Sequence, residues 1–176
     1  MRMNRTAARF ALWVCSLLVA AALAGCLPSE EDTLGTSPPG NYTIAISFST
    51  PSDLDKFGQP TPALAWYLCD DATQCLLSGG NYPAIRSPTM SVSAVSCVEL
   101  SPADGTSWIR FGYATSSSAF AVRMDGSPLQ ALSYTLNYVD TGKITVPFGQ
   151  HTYTWCITGT SGSDNASLDQ VTYGAE

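Results

Sequence analysis

Apolar and polar residues alternate in short runs through most of the chain beyond residue 40. Tyr42, Ile44, Ile46 and Phe48 are spaced by Thr43, Ala45 and Ser47, the period-2 pattern of a half-buried strand. Comparable segments follow at 63–69, 89–98, 107–115, 119–124, 132–139, 142–148, 151–158 and 168–173, and none carries a helical period. Many short strands at fairly regular spacing predict an all-β sandwich or barrel. Asp125-Gly126 falls between two of these segments, where a glycine able to take positive φ suits a tight hairpin. No internal repeat is visible.

The pattern changes at the amino terminus. Arg2, Arg5 and Arg9 precede an apolar run from Phe10 to Leu23 broken only by Ser16, the layout of an export signal and too short for a comfortable membrane span. The run closes on Leu23-Ala24-Gly25-Cys26, which resembles the lipobox of bacterial lipoproteins. That resemblance implies cleavage after Gly25, a diacylglyceryl thioether on Cys26, and a further acyl chain such as palmitate on the new amino terminus. Each buried CH₂ adds about 0.8 kcal/mol, so several chains on one residue make release from the membrane very slow. Leu27, where inner-membrane lipoproteins usually carry Asp, favours the outer membrane, on either its periplasmic or its outer side.

Residues 26–40 then read as the lipidated cysteine with a flexible acidic and Pro/Gly-rich tether, and 41–176 as the folded domain. Glu30-Glu31-Asp32 reads as a solvated spacer. Three of the eight Lys and Arg leave with the signal, so five face 14 Asp and Glu, a net charge of −9. Nucleic acid and anionic headgroups need a basic face and become poor partners. Setting aside Cys15 in the signal and Cys26 leaves Cys69, Cys75, Cys97 and Cys156, an even number in an exported chain and hence two disulfides. Three pairings exist. Cys69 with Cys75 as a local loop, and Cys97 with Cys156 between distant strands, is the favoured one. Zinc is disfavoured, because Cys-x-x-Cys is absent and His151 is the single histidine.

The second half carries Phe111-Gly112-Tyr113 with Ser116-Ser117-Ser118, then Met124-Asp125-Gly126 and Gly149-Gln150-His151-Thr152-Tyr153-Thr154-Trp155. It closes on Gly162-Ser163-Asp164-Asn165-Ala166-Ser167-Leu168-Asp169-Gln170-Val171-Thr172-Tyr173. In order and spacing this resembles a bacterial sandwich module related to the MAM and concanavalin-like jelly rolls. The resemblance implies an antiparallel two-sheet sandwich of jelly-roll type, of about eight or nine strands. It departs from the pattern where an acidic residue often follows the paired serines, and at Ser167, where the family often has tryptophan. Related jelly rolls sometimes hold calcium near the last strand, which makes Asp164 and Asp169 candidate ligands for a structural Ca²⁺. Without an ion, both read as ordinary turn and strand-start carboxylates.

No catalytic set stands out. A Ser-His-Asp enzyme would have to use His151, and no Gly-x-Ser-x-Gly elbow accompanies it. Acids such as Asp104, Asp125 and Asp140 sit in turn-like contexts. For glycan binding the available rings are Trp66, Tyr67, Tyr82, Trp108 and Tyr113, with Trp108 and Trp155 expected instead to fill the space between the sheets. The expectation is a lipid-anchored, non-enzymatic module of the cell envelope that contacts a protein partner. Carbohydrate binding is the alternative, hydrolysis a distant third. A solvent-facing row of aromatics on one sheet would decide for glycan.

Overall fold

Twelve strands form among residues 40–71, 75 and 83–176, the residues that the computed structural model describes. The expected signal segment, Cys26, most of the expected tether and Tyr82 lie outside them. In chain order the strands are β1 (Tyr42–Ile46), β2 (Phe57–Gly58), β3 (Tyr67–Cys69), β4 (Ala84–Arg86), β5 (Val95–Leu100) and β6 (Thr106–Thr115). They continue with β7 (Phe120–Met124), β8 (Ser127–Leu132), β9 (Thr135–Asp140), β10 (Ile144–Gly149), β11 (Tyr153–Thr158) and β12 (Ala166–Ala175). Every pairing is antiparallel, and the strands divide into two sheets, so the expected sandwich is present.

The smaller sheet runs β2-β5-β11-β7-β8. The larger runs β10-β6-β12-β4-β3, with β9 also paired to β6 and β1 also paired to β12. Its two central strands are ten residues long, enough for two short strands to lie end to end along each outer side. Twelve strands replace the expected eight or nine because β2 and β4 have only two or three residues each, too few for alternation to register, and because β8 is not read from the sequence as a strand of its own. The segment read as one strand over 132–139 is two. Leu132 ends β8 inside the small sheet, and the chain crosses at Ser133 and Tyr134 to begin β9 in the large one.

Between the sheets, Ile109, Phe111 and Tyr113 of β6 face Val98 and Leu100 of β5, Trp155 and Ile157 of β11, and Phe120 and Val122 of β7. The Trp155 ring meets Phe111 edge-on at 5.3 Å and Phe57 at 6.2 Å. Leu168 and Val171 both enter this core although three residues apart, because β12 is bulged between Asp169 and Thr172, with Gln170 at φ +48°, which resets the alternation. Asp125 and Gly126 take φ +52° and +78°, as a two-residue turn with positive φ at both positions does, and form the tight hairpin expected between β7 and β8.

Cys97 and Cys156 are directly opposed on β5 and β11 and are joined at a Cα separation of 4.2 Å. Their neighbours Val98 and Trp155 point inward, which puts this bridge on the outer surface of the small sheet. Cys69 and Cys75 close the short loop and are fully buried on the outside of the large sheet. At a sequence separation of 59, Cys97 and Cys156 restrict the unfolded chain strongly. The Cys97→Ala/Cys156→Ala variant is expected to lose about 4 kcal/mol of unfolding free energy in urea titrations. A loss below about 1 kcal/mol would show that the bridge does not constrain the denatured chain in this way.

Candidate functional site

His151 precedes β11 and bonds through both ring nitrogens. Nδ1 lies 2.7 Å from an Asp125 carboxylate oxygen and Nε2 lies 2.8 Å from the Pro147 carbonyl. A carbonyl can only accept, and an ionised carboxylate likewise, so the imidazolium form, in which both nitrogens donate, satisfies both contacts at once. Burial pulls its pKa down, but the Pro147 carbonyl and the Asp125 carboxylate together outweigh burial and hold it above the ordinary value. The other Asp125 oxygen accepts the Thr152 N–H at 2.8 Å. That bond first, and His151 second, lower the Asp125 pKa. No nitrogen is left to activate a serine; the histidine clips the β7–β8 hairpin to the β10–β11 connection.

The two carboxylates considered for calcium do not converge. Asp164 ends the Thr160–Ser163 turn. Its carboxylate accepts the Ser161 hydroxyl at 2.6 Å, the Thr160 hydroxyl at 2.7 Å, and both residues' backbone N–H groups. The two hydroxyls lead in holding its pKa well below the usual carboxylate range. Asp169 lies five residues further along extended backbone, roughly 16 Å away and on the opposite side of the strand. One ion cannot bridge them. Among the described residues no group of three or more His, Cys, Asp or Glu is placed to hold a metal.

A different constellation assembles on the outer face of the large sheet. Because Ile109, Phe111 and Tyr113 face inward, Trp108, Arg110, Gly112 and Ala114 face out. Gly112 is needed bare: a Cβ there would overlap the ring of Tyr138, which β9 lays across it. Tyr138 also packs against a small cluster of Cys69, Cys75, Ala84 and Ala114. Burial, followed by the charges of Asp169 and Asp140, raises the Tyr138 pKa, against a smaller opposing effect of Arg110. Asp169 is thus beside the phenol on this face, although fully buried. Next along β6, Arg110 donates through Nε to both oxygens of Asp140, at 2.9 and 3.1 Å, and through a terminal nitrogen to one of them. Asp140 also accepts the Gly142 N–H at 2.9 Å. The Arg110 bond first, opposed by burial and helped by Gly142, lowers the Asp140 pKa.

At the far end of this row, Trp108 lies opposite Gly174 of β12, where a Cβ would come within 3.0 Å of the indole. The Lys143 ammonium stands over the ring at 4.5 Å from its centroid and is ion-paired with Glu176. On the other edge of the sheet, Tyr67 of β3 is opposite Arg86 of β4, and its ring is 42 % exposed. Tyr134 and Leu136, at 58 % and 48 % exposed, lead along β9 into Tyr138.

The rings therefore sort differently from their expected places. Trp66, Tyr113 and Trp155 belong to the inter-sheet core. Trp108 does not fill that core; it is buried on the outer face, because the alternation of β6 assigns the inward positions to Ile109 and Phe111. Tyr134 and Tyr138 were missed from sequence. Both faces of β9 are mixed in polarity, so alternation does not say which side carries the ring, and the demand for a bare Gly112 beneath it is visible only once β6 and β9 are side by side. The paired serines have structural work: Ser117 donates to the Thr158 carbonyl at 2.8 Å, and Ser116 accepts the Asn165 N–H at 2.9 Å.

No family model and no curated protein matches the sequence. Among solved structures the chain is similar to the K2 cleaved adhesin domain of Lys-gingipain, with a TM-score of 0.54 and 12 % identity over 76 % of this chain and 98 % of that one. It is also similar to the CBM22-1 xylan-binding domain from Paenibacillus barcinonensis, with a TM-score of 0.46 and 14 % identity over 74 % of this chain and 92 % of that one. A family 35 carbohydrate binding module from Clostridium thermocellum gives a TM-score of 0.46 and 9 % identity over 77 % of this chain and 99 % of that one. At these identities the likeness is one of fold.

The His151 clip makes stability depend on pH in two directions. A raised histidine pKa contributes stability that is fully present below about 6.5 and is lost as pH rises through the folded value. A lowered aspartate pKa contributes stability that is present above about 3.8 and is lost as pH falls through its folded value. The gap in urea midpoint between the wild type and His151→Gln should therefore be widest between about pH 4 and 6.5 and should narrow on either side. A gap independent of pH would contradict the charged clip.

Proposed function

We propose that the domain is a non-catalytic glycan-binding module of the cell envelope, and that the outer face of its large sheet is the platform. The observation that carries this reading is Tyr138, whose ring lies over a bare glycine with the Arg110–Asp140 pair beside it on the same face. A sugar ring has apolar C–H faces and a polar rim, so it suits an aromatic plane flanked by a carboxylate and a guanidinium. Exposed Tyr67 and Tyr134 add aromatic surface at the margins. The concentration of rings on this one face favours glycan over the protein contact expected first from the sequence. Against hydrolysis, the single histidine has both nitrogens committed to acceptors.

The test is affinity electrophoresis of the mature chain through gels containing xylan, β-glucan, chitosan or bacterial envelope polysaccharide. Retardation is expected in at least one gel, with affinity roughly tenfold lower in Tyr138→Ala. Gly112→Ala, which forces the ring off its seat, should weaken binding in the same direction. Unchanged migration in every gel would return the reading to protein contact.

Lipidation at Cys26 supplies the address in this proposal, an outer-membrane anchor with residues 26–40 as the tether. The lipobox-like Leu23-Ala24-Gly25-Cys26 and the export signal before it support it. Cells grown with labelled palmitate should label the wild type and not Cys26→Ser, and the variant should leave the membrane fraction. A variant that stays labelled and membrane-bound would refute the anchor.

A further inference from the structure

Of the three tryptophans among the described residues, Trp66 and Trp155 lie in the inter-sheet core, and Trp108 does not. It occupies an outward position of β6, where a side chain ordinarily meets water, yet it is only 5 % exposed. What covers its ring face includes the long side chain of Lys143, itself about half exposed and fastened to the exposed Glu176. Exposed ion pairs and exposed cation–π contacts are weak, so such a cover is easily displaced. The Trp108 Nε1–H is buried without an acceptor, as are those of Trp66 and Trp155, but only Trp108 lies on the outer face, where a ligand oxygen can reach it. Gly174 opposite keeps the indole against the sheet, as Gly112 does for Tyr138. Trp108 and Gly112 are four residues apart on one strand, roughly 13 Å, with Arg110 between them.

We propose that Trp108 is a second sugar-binding position on this face, covered in the free protein by Lys143 and Glu176. A glycan occupies it by moving the lysine aside, stacking on the indole and accepting its N–H with a ring or hydroxyl oxygen. The row then reads aromatic, charged, aromatic along β6, which fits an extended chain of sugar units better than a single monosaccharide. This inference rests on the glycan-binding reading of Tyr138 and extends it to the length and path of the ligand.

The experiment titrates cello-, xylo- and chito-oligosaccharides into the mature chain, with tryptophan fluorescence and calorimetry as readouts. Binding should shift the fluorescence; Trp108→Phe should abolish the shift and weaken affinity roughly tenfold. Lys143→Ala, a surface change that keeps the fold testable should Trp108→Phe misfold, should bind severalfold more tightly. It should also raise acrylamide quenching of the free protein. If Tyr138→Ala loses binding while Trp108→Phe and Lys143→Ala bind and fluoresce as the wild type does, the second position is wrong and the glycan reading stands. If no oligosaccharide binds any variant, and Tyr138→Ala migrates as the wild type through the polysaccharide gels, both fall together.

Discussion

The pairing of β6 with β12 is the interaction on which the rest of the structure depends. Each strand is ten residues long and is buried for most of its length, and each gives its other edge to two shorter strands placed end to end. Inward, the pair carries Ile109, Phe111, Tyr113, Leu168 and Val171 against the smaller sheet. Outward, beside Trp108 and Arg110, it carries the small or short residues Gly112, Ala114, Gly174 and Ser167, which let other groups come down close. Ser167 even donates its hydroxyl to the Cys75 carbonyl of the short disulfide loop. A strand pair covered on both sides cannot follow simple in/out alternation of apolar and polar residues, and this one does not.

That double coverage explains what the sequence made legible. Strands with one solvated face, such as β7 and β11, show clean alternation, and their positions follow from Phe120, Val122, Tyr153, Trp155 and Ile157. The β7–β8 hairpin follows from Asp125-Gly126, whose chemistry is local. The cysteine arithmetic, with export as the expectation behind it, leads to the two bridges that form. Less local features escape. The segment taken as a strand from Thr89 begins with an isolated bridge at Met90 and then turns at Ser93, whose φ of +64° no residue-type rule anticipates in a serine.

The candidate site was legible only in part for the same reason. Tyr67 and Trp108 are conspicuous as aromatics, but whether a ring points to core or solvent depends on the register of its strand. Trp108 was expected in the core because large rings usually fill sandwich interiors, whereas its inward neighbours Ile109 and Phe111 already occupy that space. Asp164 and Asp169 were candidate calcium ligands by resemblance to jelly rolls that hold the ion near the last strand. Extended backbone carries them apart, one into a turn of hydroxyls and the other beside Tyr138.

The seat of Tyr138 on Gly112 also bears on how the chain can vary over evolution. Any side chain at position 112 collides with the ring, and a smaller residue at 138 leaves an unfilled hollow on the sheet. The effect of a substitution at one of these two residues, 26 apart in sequence, therefore depends on what stands at the other.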